Sequence, residues 1–275
     1  MRYGCCVNMV TRTGNVTGTD IVPVLKSLGF DYAELSLSHL CALSEPDFQE
    51  ISSVLTGQGL PLEVCNNFFP SEIRLTGALV DRSRIIHYLD KAFARCLTLG
   101  IKTIVFGSGP ARMVPPDFSF GKASEQLAEL LRLINNYASE GGITIAIEPL
   151  RKQECNIVNT YREASMLAKS AAASQVRCLL DLFHLAEENE SISEIHKSPG
   201  TLEHVHFAEP EGRVFPVFSN KQKYYGFFSE IVKAGYDKRI SIEAYSENFA
   251  RDAENALLLL KEIEREISIN KEQNN

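Results

Sequence analysis

The 275-residue chain has no Cys-x-x-Cys pair, and so lacks the ligand spacing of the common structural zinc sites. Its seven cysteines, an odd number scattered through apolar runs, read as reduced thiols rather than as a disulfide framework or a zinc cluster. Positive charge is also outnumbered, 28 Lys and Arg against 35 Asp and Glu, for a formal net charge of −7. Neutralising a phosphate backbone draws on clustered Lys and Arg, so no nucleic-acid partner is expected. No run reaches the length of a membrane span, and Met1-Arg2-Tyr3-Gly4-Cys5-Cys6 lacks the basic and apolar parts of a signal peptide. The expectation is a cytoplasmic protein with no membrane partner.

What is present is an ordinary globular composition, 44% hydrophobic and 23% charged, in a chain long enough to bury a full core. Strand-like runs cover 3–9, 32–37, 62–68, 103–106, 143–147, 176–182, 203–208 and 239–244. Helical periodicity fills 20–28, 46–55, 82–99, 120–139, 161–172, 221–234 and 247–267. Gly29, Gly100 and Gly235 mark helix ends, Ser44 reads as an N-cap, and Thr160 with Glu163 has capping-box spacing. Phe48, Ile51, Val54 and Leu55 are expected on one helical face. The segment 11–19 reads as a Gly/Thr-rich loop, 187–199 as polar with a short helix at 191–196, and 270–275 as a frayed tail.

Strands alternating with helices imply a parallel sheet, and eight such units are the count at which it closes into a single-domain α/β (β/α)8 barrel over 1–275. A doubly wound sheet would carry a Gly-rich phosphate fingerprint after its first strand, and none is there. The Gly107-Ser108-Gly109 segment reads as a turn rather than as a phosphate site.

Four successive strands end in Glu148, Asp181, His206 and Glu243. In a barrel those ends share one rim. Any one of these acids alone reads as a helix cap or a rim ion pair. Three together, without a cation, would raise one another's pKa and cost stability. Three carboxylates and an imidazole suit one hard or borderline divalent ion, Mn²⁺, Fe²⁺, Co²⁺, Mg²⁺ or Zn²⁺, with positions left open for substrate oxygens. His204 points to the same side as His206 by strand alternation, so geometry alone leaves the choice open. His206 is preferred as the nearer to the strand end.

The motifs Ile-Glu-Pro at 147–149, Leu-Asp-Leu-Phe-His at 180–184, His-Val-His-Phe-Ala-Glu at 204–209 and Ser-Ile-Glu-Ala-Tyr at 241–245 resemble those of the sugar isomerase/epimerase superfamily, the xylose-isomerase-like TIM barrels. The pattern within it is most similar to the tagatose/psicose 3-epimerases. The resemblance covers the whole chain in topology, with the specific motifs in its second half. It implies that Glu148, Asp181, His206 and Glu243 bind the metal, Mn²⁺ first among the ions named, and that Glu148 and Glu243 are also the catalytic acid/base pair. It implies substrate contacts for Glu154 and His184, and for Arg213, which lies seven residues after His206 where the family's Arg lies six after. Residues 105–109 with Arg112 resemble a strand-four motif of the superfamily, and Glu34 resembles an acid on strand two.

The implied activity is isomerisation or epimerisation of a small sugar, sugar phosphate or polyol, by proton transfer through an enediolate that the ion stabilises. Dimers and tetramers are common in such families, so a homo-oligomer is expected. One rival is a lyase like the inosose dehydratases. Another is a hydrolase like endonuclease IV, which needs histidines on earlier strands, whereas strand three ends in Cys65-Asn66-Asn67 and strand four in Gly107-Ser108. His39 and His87 read as surface or packing residues. A metal-free binding or scaffold protein is the non-enzyme alternative.

Overall fold

The computed structural model describes residues 1–11 and 15–273. Part of the expected loop at 11–19 and the last two residues of the expected tail lie outside them. The strands are β1 (Arg2–Cys6), β2 (Tyr32–Ser36), β3 (Leu62–Asn66), β4 (Thr103–Phe106), β5 (Thr144–Ile147), β6 (Val176–Asp181), β7 (Leu202–Phe207) and β8 (Arg239–Ile242). They pair in parallel in sequence order, and β8 returns to β1 with Ile240 beside Tyr3, closing the ring. The fold is the expected (β/α)8 TIM barrel.

Local chemistry sets the helix limits. Arg82–Leu99 starts where the Asp81 carboxylate accepts from the Arg84 amide at 3.0 Å and stops at Gly100, whose φ of 77° is a left-handed conformation that favours glycine. Ser44 caps Glu45–Gly57 by accepting from the Asp47 amide. Thr160 caps Tyr161–Ala171, but Glu163 reaches back to the Asn159 amide, one residue beyond a capping box. The closing helix Phe249–Gln273 lays Ala253, Ala256, Leu257, Leu260 and Ile263 on the barrel, all buried. Each of its larger aliphatic side chains contributes roughly 1.5–3 kcal/mol by leaving water.

Several expectations need correction. Val54 is exposed, off the buried face that holds Phe48 and Leu55. The closing helix continues through 270–273, where a frayed tail is expected from the sequence. Short helices at Leu37–Ala42, Gly109–Arg112 and Leu182–Glu187, and a 3₁₀ turn at Val7–Met9, replace parts of expected strands and loops. Among the described residues no helix is long and apolar enough to cross a membrane. The seven cysteines are all buried and free of disulfides.

The lumen positions the site. Tyr32, Val64, Val105, Ala146 and Leu179 form a small apolar cluster separate from the main core between sheet and helices. Two residues further along the same strands stand Glu34, Asn66, Gly107, Glu148 and Asp181. Because strand side chains alternate with period two, an apolar plug is followed toward the C-terminal mouth by a largely polar layer.

Candidate active site

Glu148 lies one residue beyond β5, Asp181 ends β6, His206 is in β7, and Glu243 lies one residue beyond β8. All four are buried. They converge on one atom. His206 Nδ1 lies 3.0 Å from Glu148 Oε1, 3.1 Å from Glu243 Oε2 and 4.0 Å from Asp181 Oδ2. One ligand atom from each residue falls within 4.8 Å of all the others.

Each group is held from behind. Asp181 Oδ1 caps Leu182–Glu187 by accepting from the Phe183 amide at 2.6 Å and the His184 amide at 3.3 Å. Its Oδ2 is left buried with no hydrogen-bond partner. The helix-cap reading and the cluster reading of this residue are therefore both met, one by each oxygen. The main chain at Glu148 is clamped by the fully buried Arg112, which donates to the carbonyls of Phe106 at 2.8 Å, Glu148 at 2.7 Å and Val158 at 3.3 Å. Gly107 leaves room for the Glu148 carboxylate, since a Cβ there would sit 2.2 Å from Oε2. Arg213 donates to Glu243 Oε2 at 2.5 Å.

His206 and His204 both point into the lumen. His204 lies one layer deeper and gives its Nε2 to Glu34 Oε2 at 2.9 Å, while His206 Nε2 meets Glu34 Oε1 at 2.9 Å. His206 is thus the histidine that joins the three acids, as preferred from its place in the strand.

Burial raises the pKa of Glu148, and the hydrogen bond and charge of His206 only partly offset it. Asp181 is likewise raised by burial, against the pull of His184 and Arg213. Burial also opposes ionisation of Glu243, but His206 and Arg213 outweigh it and draw the group down to about 2. The His206 imidazolium is disfavoured by burial, yet the carboxylates of Glu34 and Glu243 lift its pKa well above the ordinary value. Three carboxylate oxygens face Nδ1 at 3.0, 3.1 and 4.0 Å, so a proton there, or a metal ion in its place, would offset their charge.

The donor set fits a divalent ion. Three carboxylates and one imidazole are hard-to-borderline donors. Ligand atoms about 2.1 Å from a shared ion at right angles stand about 3 Å apart, the spacing of Nδ1 from Glu148 and Glu243. The orphaned Asp181 Oδ2 is a further acceptor without a donor.

The three expected substrate contacts ring this cluster. His184 Nδ1 accepts from the Arg151 amide at 3.2 Å, leaving Nε2 to carry the proton. That Nε2 is buried, has no hydrogen-bond partner, and lies 3.8 Å from Asp181 Oδ2 and 4.0 Å from Glu154 Oε2. Glu154 is paired with Arg151 at 2.8 Å and stands 3.7 Å from Arg213. Two successive left-handed residues, Gly212 at φ 78° and Arg213 at φ 49°, turn the loop back. The Arg213 guanidinium thereby lies 4.8 Å above the Phe183 ring and among the acids despite its offset in sequence. By contrast, His39 and His87 line a separate cavity with Pro70, Arg84 and Lys91. Neither joins a group of metal-ligating side chains among the described residues.

The family profile for xylose isomerase-like TIM barrels matches residues 22–264. The chain belongs to this family. Among its relatives, D-psicose 3-epimerase of Agrobacterium fabrum is 27% identical over 197 residues, covering 68% of this chain and 66% of that enzyme. The 3-dehydro-D-guloside 4-epimerase of Escherichia coli is 23% identical over 193 residues, covering 67% of this chain and 71% of that one. The matched stretch thus spans about two thirds of these curated relatives. In three dimensions this xylose isomerase-like barrel is similar to D-psicose 3-epimerase of Clostridium cellulolyticum H10, a structure obtained with D-tagatose. The TM-score is 0.81 at 19% identity, covering 96% of this chain and 99% of that one.

Three contributors escaped the sequence as parts of the site. Glu34 and Arg112 drew notice only through the resemblance, and their contacts depend on register across the barrel. Gly107 acts through a missing atom. The available signal was positional, because Glu34 and Gly107 both lie two residues beyond an apolar lumen residue.

Proposed function

We propose that the protein is a divalent-metal-dependent isomerase or epimerase of a sugar or sugar phosphate, working by proton transfer beside a carbonyl. The observation that carries this reading is the convergence of Glu148, Asp181 and Glu243 on His206 Nδ1, in a family whose relatives include named sugar epimerases. A divalent ion, Mn²⁺ first, would be held by these four residues and when bound would supply the Lewis acidity that makes a neighbouring C–H acidic.

The chain's own groups do the proton work. β5 and β8 stand three strands apart in the ring, so Glu148 and Glu243 flank whatever lies between them. One carboxylate takes the proton from carbon, and the other returns it on the far face, inverting that centre. His184 Nε2–H, the Glu154 carboxylate and the Arg213 guanidinium hold the hydroxyls. The partner is a small sugar or polyol rather than nucleic acid or membrane, and the setting is a cytoplasmic homo-oligomer.

The test is elemental analysis of the purified protein, followed by NMR of a ketose and polyol panel in deuterated water. Deuterium entering one carbon of a ketose identifies the substrate and the position. Loss of water from a polyol instead would replace this reading with an inosose-dehydratase-like lyase. Glu148→Gln and Glu243→Gln should each lower turnover by about 10²–10⁴-fold. Near-normal activity in either would sink the two-base scheme.

A further inference from the structure

We infer that Glu34 is a positioning residue: from the floor of the mouth it holds His206 by Nε2, reserving Nδ1 for the ion. This rests on the metal-binding reading above and names the residue that sets the imidazole's orientation and protonation pattern. Glu34 is on β2 and His206 on β7, so the contact crosses the lumen. The carboxylate is fully buried and meets the two imidazoles, one at each oxygen, at 2.9 Å.

An ionised carboxylate only accepts hydrogen bonds. Each oxygen of Glu34 stands 2.9 Å from one imidazole Nε2, a hydrogen-bond distance at which the ring nitrogen is the donor to the carboxylate. Both Nε2 atoms must therefore carry hydrogen. For His206 that directs Nδ1 to the acids in the mouth. His204, whose Nδ1 is buried with no partner, fixes the second oxygen and stops the carboxylate from rotating away. A metal-bound histidine whose other ring nitrogen donates to a carboxylate is a more basic and better oriented ligand, and losing such a partner typically costs 10–100-fold in affinity.

Cys6 supplies the competing arrangement. Its Sγ lies 4.0 Å from His206 Nε2, and Cys6, Glu34 and His206 offer ligand atoms close enough for a second ion. The thiol stands 4.0 Å from the nitrogen that Glu34 Oε1 approaches to 2.9 Å, so the carboxylate is the better placed partner of Nε2.

Two measurements decide. Long-range ¹H–¹⁵N NMR of the wild type, metal-free and loaded with diamagnetic Zn²⁺, should find His206 Nε2 protonated in both and Nδ1 unprotonated in the loaded form. Calorimetric titration of Glu34→Gln, whose single amide oxygen cannot accept from both imidazoles, should give a metal affinity 10–100-fold below wild type. The inference is overturned by an unprotonated Nε2, by a folded Glu34→Gln protein binding within twofold of wild type, or by a second equivalent of Zn²⁺ that Cys6→Ser removes. If Glu34→Gln does not fold, the wild-type spectrum decides alone. If the wild type binds no ion, the metal-binding reading fails, while protonation of Nε2 in the metal-free spectrum still reports on Glu34.

Discussion

Gly107→Ala should separate the function of the site from the stability of the barrel. The new Cβ would lie 2.2 Å from Glu148 Oε2, where ordinary contact begins near 3.4 Å, so the oxygen must retreat by about 1.2 Å. The next atoms of the side chain already stand clear, with Cδ at 3.4 Å and Cβ at 3.9 Å. Rotation of the terminal torsion therefore relieves most of the clash, at about 0.5–1.5 kcal/mol. At about 2–4 °C per kcal/mol for a chain of this size, melting should fall by only a few degrees. The same rotation swings Oε1 off His206 Nδ1, and a misplacement near 1 Å can cost about 10²-fold in rate. Calorimetric titration with Mn²⁺ should accordingly show affinity lowered at least about 10-fold, within the range for a disturbed ligand.

Gly4→Ala is the control, since its Cβ would fall 2.3 and 2.4 Å from ring carbons of Tyr32. That ring is fully buried, with its hydroxyl 2.8 Å from Ser241 Oγ. No single torsion clears it, and overpacking should cost about 1–3 kcal/mol or more while the folded fraction keeps its metal affinity. The reasoning fails if Gly107→Ala binds Mn²⁺ within twofold of wild type, or if it melts as early as Gly4→Ala.

Two further outcomes follow from the surroundings of the acids. In the metal-free protein, ionised Glu243 is held near a pKa of about 2, below its unfolded value of 4.5. Its stabilisation is therefore present above pH 4.5 and lost as pH falls toward 2. Urea unfolding from pH 7 to pH 3 should show the wild type ahead of Glu243→Gln by on the order of 3 kcal/mol at neutral pH, with the gap closing on acidification; a constant gap would refute this. Arg112→Leu should lose more than about 3 kcal/mol, because it removes three hydrogen bonds from a buried cation at about 1.5–3 kcal/mol each, the Glu148 carbonyl losing its 2.7 Å donor while those of Phe106 and Val158 keep the amides of Glu148 and Leu150. A melting temperature within a few degrees of wild type would remove Arg112 as the clamp on Glu148.

Much of the fold could be read from local signals. Arg82–Leu99 and Thr103–Phe106 agree with their expected limits because an apolar period, a cap and a glycine stop all point the same way. The helix Leu182–Glu187 was read otherwise, since six residues are too few to display a period and Asp181 launches the turn from the strand end. At the site, the four convergent residues were legible because strand ends are recognisable one strand at a time. Glu34 was not, since its contacts join β2 to β7 across the lumen. A glycine chosen for the oxygen it admits looks in sequence like any other turn glycine, so the steric role of Gly107 needed coordinates.

The divided duty of Asp181 has a thermodynamic consequence. Its two cap bonds restrict the side-chain torsions before anything binds, so the rotamer entropy of this ligand is spent during folding. An arriving ion meets an oxygen already in position, and the ordering cost that weakens flexible chelates is reduced at this corner of the site.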